Sequence, residues 1–210
     1  MARLGASRAP VTPPLVIKVG GSLFESGRLA ATLTMLARAL RPIVIVPGGG
    51  PFADKVREQQ RQTGFDDQTA HRLAMLSMHR MAETFTSLEP QLIVIDRVAD
   101  IAPQIAAGRT PVWVPLPTLD GDTSLQPSWD TTSDAIAARL AELLGHAPVV
   151  LLKSVDVMAG ATADHLSAAG VIDRAFAGVV ERSRLDWHVI GPSGMVQFEA
   201  FLTKPSTCSG

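Results

Sequence analysis

Two apolar periodicities alternate along the chain. The runs Leu15–Val19, Ile43–Val46, Leu92–Ile95, Val112–Val114, Val149–Leu152 and Trp187–Ile190 are short, mostly β-branched and bounded by Gly, Pro or polar residues. A run without a polar face needs cover on both sides, so each predicts a buried strand of the kind found in parallel sheets. Between these runs the apolar residues recur at helical spacing. Leu29, Leu33, Leu36 and Leu40 draw one stripe along a helix. A second helix is predicted over Gln68 to Leu88, with Leu73, Leu76 and Met81 among its apolar positions. A third follows Thr131, carries Ile136, Leu140, Leu143 and Leu144, and stops at Gly145, where a left-handed residue would close it.

Strands that alternate with helices make an α/β fold: a mainly parallel sheet with helices on both faces, because parallel neighbours need a crossover connection. Ligands of such sheets bind beyond the carboxyl ends of the strands. A single domain over residues 15–203 is expected, with a disordered arm over 1–14 and a loose tail over 204–210. The stretch from Pro115 to Ser128 is the longest internal loop and has the composition of a lid or binding loop.

Composition narrows the function classes. The 210 residues are 46% apolar and 19% charged, with a formal net charge of −1. That apolar content supports a sizeable core, and the near-zero charge argues against nucleic acid as a partner, since that binding needs a basic excess. One cysteine, Cys208, excludes a disulfide framework or a cysteine metal cluster. The apolar runs are too short to span a bilayer and no signal peptide is evident, so the expectation is a cytoplasmic protein without a membrane partner. Only four basic residues are lysines, namely Lys18, Lys55, Lys153 and Lys204. Genome composition alone can produce such an arginine excess, so only where the lysines sit can carry information.

The sharpest local pattern is Val16-Ile17-Lys18-Val19-Gly20-Gly21-Ser22, a strand running into two glycines and a serine. Glycines let a backbone turn sharply and approach a ligand closely, and successive N–H groups in such a turn make an anion site. Ile43–Val46 runs into a second such turn, Pro47-Gly48-Gly49-Gly50-Pro51, with a helix expected from Phe52. Either turn by itself is equally consistent with a tight strand-to-helix connection that holds nothing. Lys18 inside an apolar strand favours the anion reading, because an ammonium buried without a partner is costly. The third pattern is Ser128-Trp129-Asp130-Thr131-Thr132-Ser133-Asp134 ahead of a helix. It reads either as ordinary capping by Thr131 or Thr132 with Asp134 in the first turn, or as Asp134 pointing into the crevice to fix the lysines.

Together the three patterns resemble the amino-acid kinase superfamily, over about Leu15 to Leu202. The resemblance implies a three-layer α/β/α sandwich and ATP-dependent phosphoryl transfer to a carboxylate, carbamate or phosphate oxygen. Within that superfamily, Ala70-His71-Arg72-Leu73-Ala74, Ser128-Trp129 with Thr132-Ser133-Asp134, and Ile172-Asp173 with Phe176 are similar to the kinases of aminomethylfuran phosphate in methanofuran synthesis. Uridylate-type and isopentenyl phosphate-type kinases are the alternative branches, and a non-catalytic anion-binding regulator is the alternative of another class. The resemblance implies that Lys18 stabilises the transferring group and Asp134 organises it. It also implies that Gly20, Gly21 and Ser22 offer N–H groups to ATP, and that Gly48, Gly49 and Gly50 hold the acceptor, with His71, Trp129, Ser133 and Asp173 as further acceptor contacts. The partners implied are ATP, with Mg²⁺ bridging its phosphate oxygens and no protein metal site, and a small phosphate-bearing acceptor. A homo-oligomer is expected.

Two stretches depart from the superfamily pattern. After the fifth strand many members read Thr-Asp-Val-Asp-Gly-Val-Tyr toward the adenine site, whereas this chain reads Lys153-Ser154-Val155-Asp156-Val157-Met158. A late lysine in a Gly-Gly-Met segment has no counterpart. Lys153 stands either as the replacement cation or as a solvated strand-end residue, with Ser154 and Asp156 beside it on the nucleotide side. Some other candidates also carry two readings. His71 contacts the acceptor or lies on a helix surface, and Trp129 stacks on a flat substrate or packs under its loop. Asp173 caps a helix ahead of Phe176 or meets an amino group of the acceptor. Arg182-Ser183-Arg184 reads as a solvated turn.

Overall fold

A computed structural model describes residues 13–204, so most of the expected arm, most of the expected tail and Cys208 lie outside the described residues. Six strands form one all-parallel sheet in the order β3-β4-β2-β1-β5-β6. They are β1 (Leu15–Val19), β2 (Ile43–Pro47), β3 (Leu92–Ile95), β4 (Thr110–Trp113), β5 (Val149–Leu152) and β6 (Trp187–Ile190). The helices are α1 (Ser22–Glu25), α2 (Leu29–Ala37), α3 (Gly50–Thr63), α4 (Asp67–Leu88), α5 (Ile101–Ala106), α6 (Leu116–Leu119), α7 (Ser133–Leu143), α8 (Ala163–Ala168), α9 (Arg174–Ser183) and α10 (Met195–Leu202).

Alternation along the strands sorts the core into two layers. Val16, Val44, Val46, Val149 and Leu151 face α7 and α9, where Ile136, Leu140, Phe176 and Val179 meet them. Ile17, Val19, Ile43, Ile45, Val150 and Leu152 face the opposite way, onto Leu33 and Leu36 of α2 and Phe198 and Leu202 of α10. Helix α4 serves both layers, with Met75 and Met78 in the first and Met81 and Phe85 in the second. The result is a three-layer α/β/α sandwich. Lys18 lies two residues after Val16 and so shares the face covered by α7.

Several helical details differ from the periodicity. Helix α2 stops at Ala37, so Leu40 falls outside it and is exposed, whereas Leu29, Leu33 and Leu36 are buried as the stripe requires. On α4 the core stripe is methionine-rich, through Met75, Met78 and Met81, and Leu76 is exposed. Flexible thioethers fill an irregular seam between two layers more readily than branched leucines. Leu143 is exposed, and Gly145 follows α7 with φ +76°, in the left-handed region expected of it. Arg182 and Ser183 are not part of a solvated turn: both donate to Glu142 of α7, Arg182 at 3.2 and 3.3 Å, and tie α9 to α7.

The topology locates the crevice. After β1 the chain moves to β2 on one side, and after β5 it moves to β6 on the other. The carboxyl ends of β1 and β5, which pair through Val19 and Leu152, therefore open a cleft between diverging connections. No helix among the described residues is long and apolar enough to cross a membrane.

Candidate active site

At the bottom of this cleft Lys18 reaches from β1, Lys153 follows β5, and Asp134 stands in the first turn of α7. The Lys18 ammonium lies 2.9 Å from Asp134 Oδ1, and Lys153 Nζ donates to Oδ2 at 2.7 Å. The Lys18–Oδ1 contact is an ion pair without hydrogen-bond alignment, since Oδ1 accepts no aligned hydrogen bond among the described residues. The Asp173 backbone N–H adds a third partner to the carboxylate, donating to Oδ2 at 3.2 Å. Asp134 is 2% exposed and Lys18 6%. Such burial is tolerable only because each charge has an opposite neighbour.

The electrostatics follow from that crowding. Burial alone would raise the Asp134 carboxyl, but Lys18 and Lys153 outweigh it and hold the pKa at about 2, below an ordinary 3.8. For Lys153 burial and the Lys18 charge prevail over Asp134, and its pKa falls from 10.5 to about 8. Of the two readings of Lys153, the solvated strand-end residue is not what the structure holds: the side chain is 11% exposed and paired.

The glycine turns interlock beside this cluster. A Cβ on Gly21 would sit 2.5 Å from the Gly50 Cα, and one on Gly48 would sit 2.9 Å from the Gly21 nitrogen. Only glycine permits this backbone-on-backbone contact. Gly48 N–H donates to Val19 O at 2.8 Å, which locks the second turn onto the end of β1. Gly20 lies directly beneath Lys18, since a Cβ there would be 3.2 Å from Nζ. Gly21, Ser22, Gly48, Gly49, Gly50 and Ser133 all line one cavity of about 310 Å³. Both turns thus face the same space.

The outer wall of the cavity carries His71 and Trp129. Trp129 Nε1–H donates to Gln60 Oε1 at 2.6 Å, and the Arg57 guanidinium lies 4.3 Å over its ring. One indole face is therefore covered by a cation. Burial lowers the His71 pKa, which keeps the imidazole neutral at pH 7. Glu25, Asp54 and Arg57 also line this cavity and were not anticipated. For two of them the signal was present: Asp54 and Arg57 follow Gly50 at i+4 and i+7 on the helix that the second glycine turn starts, so they share its face.

Other anticipated residues sit apart from the cavity. Asp173 is the N-cap of α9, where Oδ1 accepts from Phe176 N at 2.7 Å. Its Oδ2 accepts from Thr132 N at 2.9 Å, Thr132 Oγ1 at 2.8 Å and Ala135 N at 3.0 Å. The α7 terminus is consequently capped by a residue from elsewhere in the chain and not by the Thr132 side chain, which makes no cap hydrogen bond of its own. Ser154 O accepts from Arg28 Nη2 at 3.2 Å. Asp156 Oδ1 accepts from Ser193 N and Oγ at 2.9 and 2.8 Å, so this carboxylate turns toward the loop after β6. Among the described residues no group of three or more His, Cys, Asp and Glu side chains converges as a metal site.

Paired lysines on one carboxylate, above interlocked glycine turns at a switch point, define an α/β protein equipped for anionic, phosphate-like ligands. Comparison with known proteins gives the family. Residues 13–174 match the model of the amino acid kinase family, and the chain belongs to that family, which is one of phosphotransferases. The [5-(aminomethyl)furan-3-yl]methyl phosphate kinase of Methanocaldococcus jannaschii is 27% identical over 143 residues, 67% of this chain and 66% of that protein. This chain thus aligns with just under two thirds of that relative's length. The uridylate kinase of Archaeoglobus fulgidus superposes with a TM-score of 0.65 at 21% identity, over 89% of this chain and 95% of the other. The UMP kinase of Bacillus anthracis gives 0.66 at 14%, over 90% and 92%. These structures share the fold.

Proposed function

We propose that the protein transfers the γ-phosphoryl group of ATP to a phosphate oxygen of [5-(aminomethyl)furan-3-yl]methyl phosphate, giving the diphosphate and ADP. The observation that carries this reading is the Lys18–Asp134–Lys153 cluster beside the two interlocked turns. A phosphate oxygen of the acceptor attacks the γ-phosphorus, the new P–O bond forms, and the bond to the β–γ bridging oxygen breaks. The attacking oxygen is already anionic, so no general base is needed. Catalysis then rests on positioning and charge stabilisation, which is what this chain offers.

In this reading Lys18 and Lys153 neutralise charge on the transferring group, and Asp134 holds both ammonium groups in place. Gly20, Gly21 and Ser22 direct N–H groups to the ATP phosphates, with Ser154 and Asp156 on the nucleotide side. Gly48, Gly49, Gly50 and Ser133 hold the acceptor phosphate, with His71 and Trp129 around its ring. Mg²⁺ would arrive on ATP as part of the substrate, since both Asp134 oxygens already face lysines. The furan acceptor is favoured by the sequence relative, and a nucleoside monophosphate acceptor by the fold neighbours. The protein would act as a homo-oligomer, which light scattering of the purified chain tests.

The deciding assay measures ADP formation from Mg²⁺-ATP with aminomethylfuran phosphate, UMP and isopentenyl phosphate as acceptors. Turnover with the first above the other two is the expected result. Turnover with UMP alone moves the protein to the uridylate branch. Nucleotide binding without turnover on any acceptor makes it a non-catalytic regulator.

A further inference from the structure

Asp173 receives more hydrogen bonds than a helix cap requires. A cap needs one oxygen and one or two N–H groups. Here Oδ1 serves α9 through Phe176, and Oδ2 serves the α7 terminus through Thr132 N, Thr132 Oγ1 and Ala135 N. The backbone N–H of the same residue donates to Asp134 Oδ2, the oxygen that Lys153 also contacts. A second bond across this junction, from Ala175 N to Asp130 O at 2.9 Å, fixes the residues just before α7 against the start of α9.

With both oxygens occupied by protein donors, Asp173 has little capacity left for a substrate ammonium. The partners of Oδ2 all belong to the turn that presents Asp134. We propose that Asp173 is a positioning residue, which clamps the first turn of α7 so that Asp134 stands between Lys18 and Lys153, and which supplies the second negative charge of a balanced four-charge cluster. The proposal rests on the kinase reading for its activity readout and extends it to a residue outside the reacting centre.

The charges around Lys153 come from three elements: Lys18 on β1, Asp134 on α7, and Asp173 ahead of α9. Lys18 disfavours the protonated form of Lys153, and both carboxylates favour it. Removing the Asp173 charge leaves two cations facing one carboxylate. Asp173 itself is raised from its ordinary value by burial and by Asp134, which outweigh the opposing hydrogen bonds from Ala135 and Thr132 at the α7 terminus. It is thus the more weakly held of the two anions.

Two variants separate the positioning role from capping. Asp173→Asn keeps one acceptor oxygen and removes the charge. Asp173→Ser keeps a good N-cap for α9, while a single hydroxyl cannot also serve the α7 turn. In both, kcat is expected to fall about tenfold or more, with KM for ATP and for the acceptor within about twofold of wild type. In Asp173→Asn the alkaline limb of the kcat profile should move to lower pH by about half a unit or more, and Asp173→Glu should restore part of kcat. A rise in acceptor KM with kcat preserved would make Asp173 a direct substrate contact and overturn the proposal. So would a fall in kcat that tracks lost thermal stability with the limb unmoved, the signature of capping alone. If wild-type protein turns over none of the acceptors, the kinase reading has failed. The clamp is then tested by the Lys153 titration itself, followed by NMR, which should move to lower pH in Asp173→Asn; an unmoved titration overturns it.

Discussion

The turns after β1 and β2 and the stretch after β5 occupy equivalent places, each at the carboxyl end of a strand in one sheet, yet they differ in how far their own side chains are constrained. Around Gly21, Gly48 and Gly50 backbone packs on backbone at distances that admit no side chain. After β5 the chain is open, with Val155 50% and Met158 83% exposed. Its fixed points are the Arg28 contact to Ser154, the Asp156 contact to Ser193 and a close approach to Gly191, where a Cβ would sit 2.5 Å from the Val155 carbonyl oxygen. The stretch that departs from the superfamily's sequence pattern is the exposed one, and the interlocked turns keep that pattern. In the first region steric necessity fixes the residues of the turns themselves, whereas in the second it fixes the partner Gly191 and leaves the exposed Val155 and Met158 side chains unconstrained. Lys153 joins the two, since it belongs to the open stretch by sequence and to the closed cluster by contact.

The largest effect expected is on the closed side. Lys18→Ala should lower turnover by about 10²-fold or more, the scale seen when one preorganised transition-state donor is removed. Single-turnover kinetics on a variant whose circular dichroism matches wild type would measure it. Full activity would remove Lys18 from the reacting centre and leave the glycine turns without their cation.

Lys153 tests the junction through pH. Its pKa of about 8 predicts that kcat declines as pH rises through that value, because the neutral amine no longer stabilises phosphoryl charge. Stability runs the other way. The unfolded chain holds this proton up to about 10.5, so the folded state carries a cost below pH 8 that is relieved between about 8 and 10.5. Asp134 has the opposite sign: its contribution is complete above 3.8 and is lost as pH falls toward about 2. Lys153→Arg, whose guanidinium stays charged, should abolish the alkaline limb, whereas Lys153→Met should lower kcat at every pH. An unchanged limb in Lys153→Arg would assign that titration to another group.

Gly21→Ala probes the interlock itself. The new Cβ would meet Gly50 Cα at 2.5 Å, and backbone cannot swing aside as a flexible side chain can. A loss of about 1–3 kcal/mol in denaturant unfolding is expected, as for other overpacked sites. Activity should fall with it, since the two turns would be forced apart. An unaffected variant would mean that the turns do not touch in solution.

Most of the strand pattern was legible because a parallel strand buried on both faces leaves an unbroken apolar run, and all six runs became strands. Lys18 was legible for the same reason, as a charge where none should be. Of the α4 seam Met81 was legible but Met75 and Met78 were not, because methionine has no strong pattern of its own and the helix serves two layers. Asp173 showed its helix-capping signal, but its bonds to Thr132 and Ala135 span about forty residues and leave no local trace. Glu142 was missed for the same reason: it looks like a solvent-facing residue of α7 until α9 brings Arg182 and Ser183 to it. Contacts made by distant segments are set by packing, and periodicity within one element does not encode them.

The smallest effect sharpens the contrast between glycines that are required and glycines that are not. Gly178 lies inside α9 with nothing within 4 Å of the Cβ it lacks, and it has no positive φ. A helix-interior glycine costs roughly 0.5–1 kcal/mol relative to alanine, through the freedom it adds to the unfolded chain. Gly178→Ala should therefore raise the unfolding free energy by about that amount and leave kcat unchanged, because neither Asp173 nor Glu142 is touched. The outcome has the opposite sign to that at Gly21, although the chemical change is the same single methyl group. A destabilised Gly178→Ala would mean that something packs against this face of α9, as the surface of a second copy would. Comparing its unfolding at two protein concentrations would then separate an assembly contact from strain within one chain.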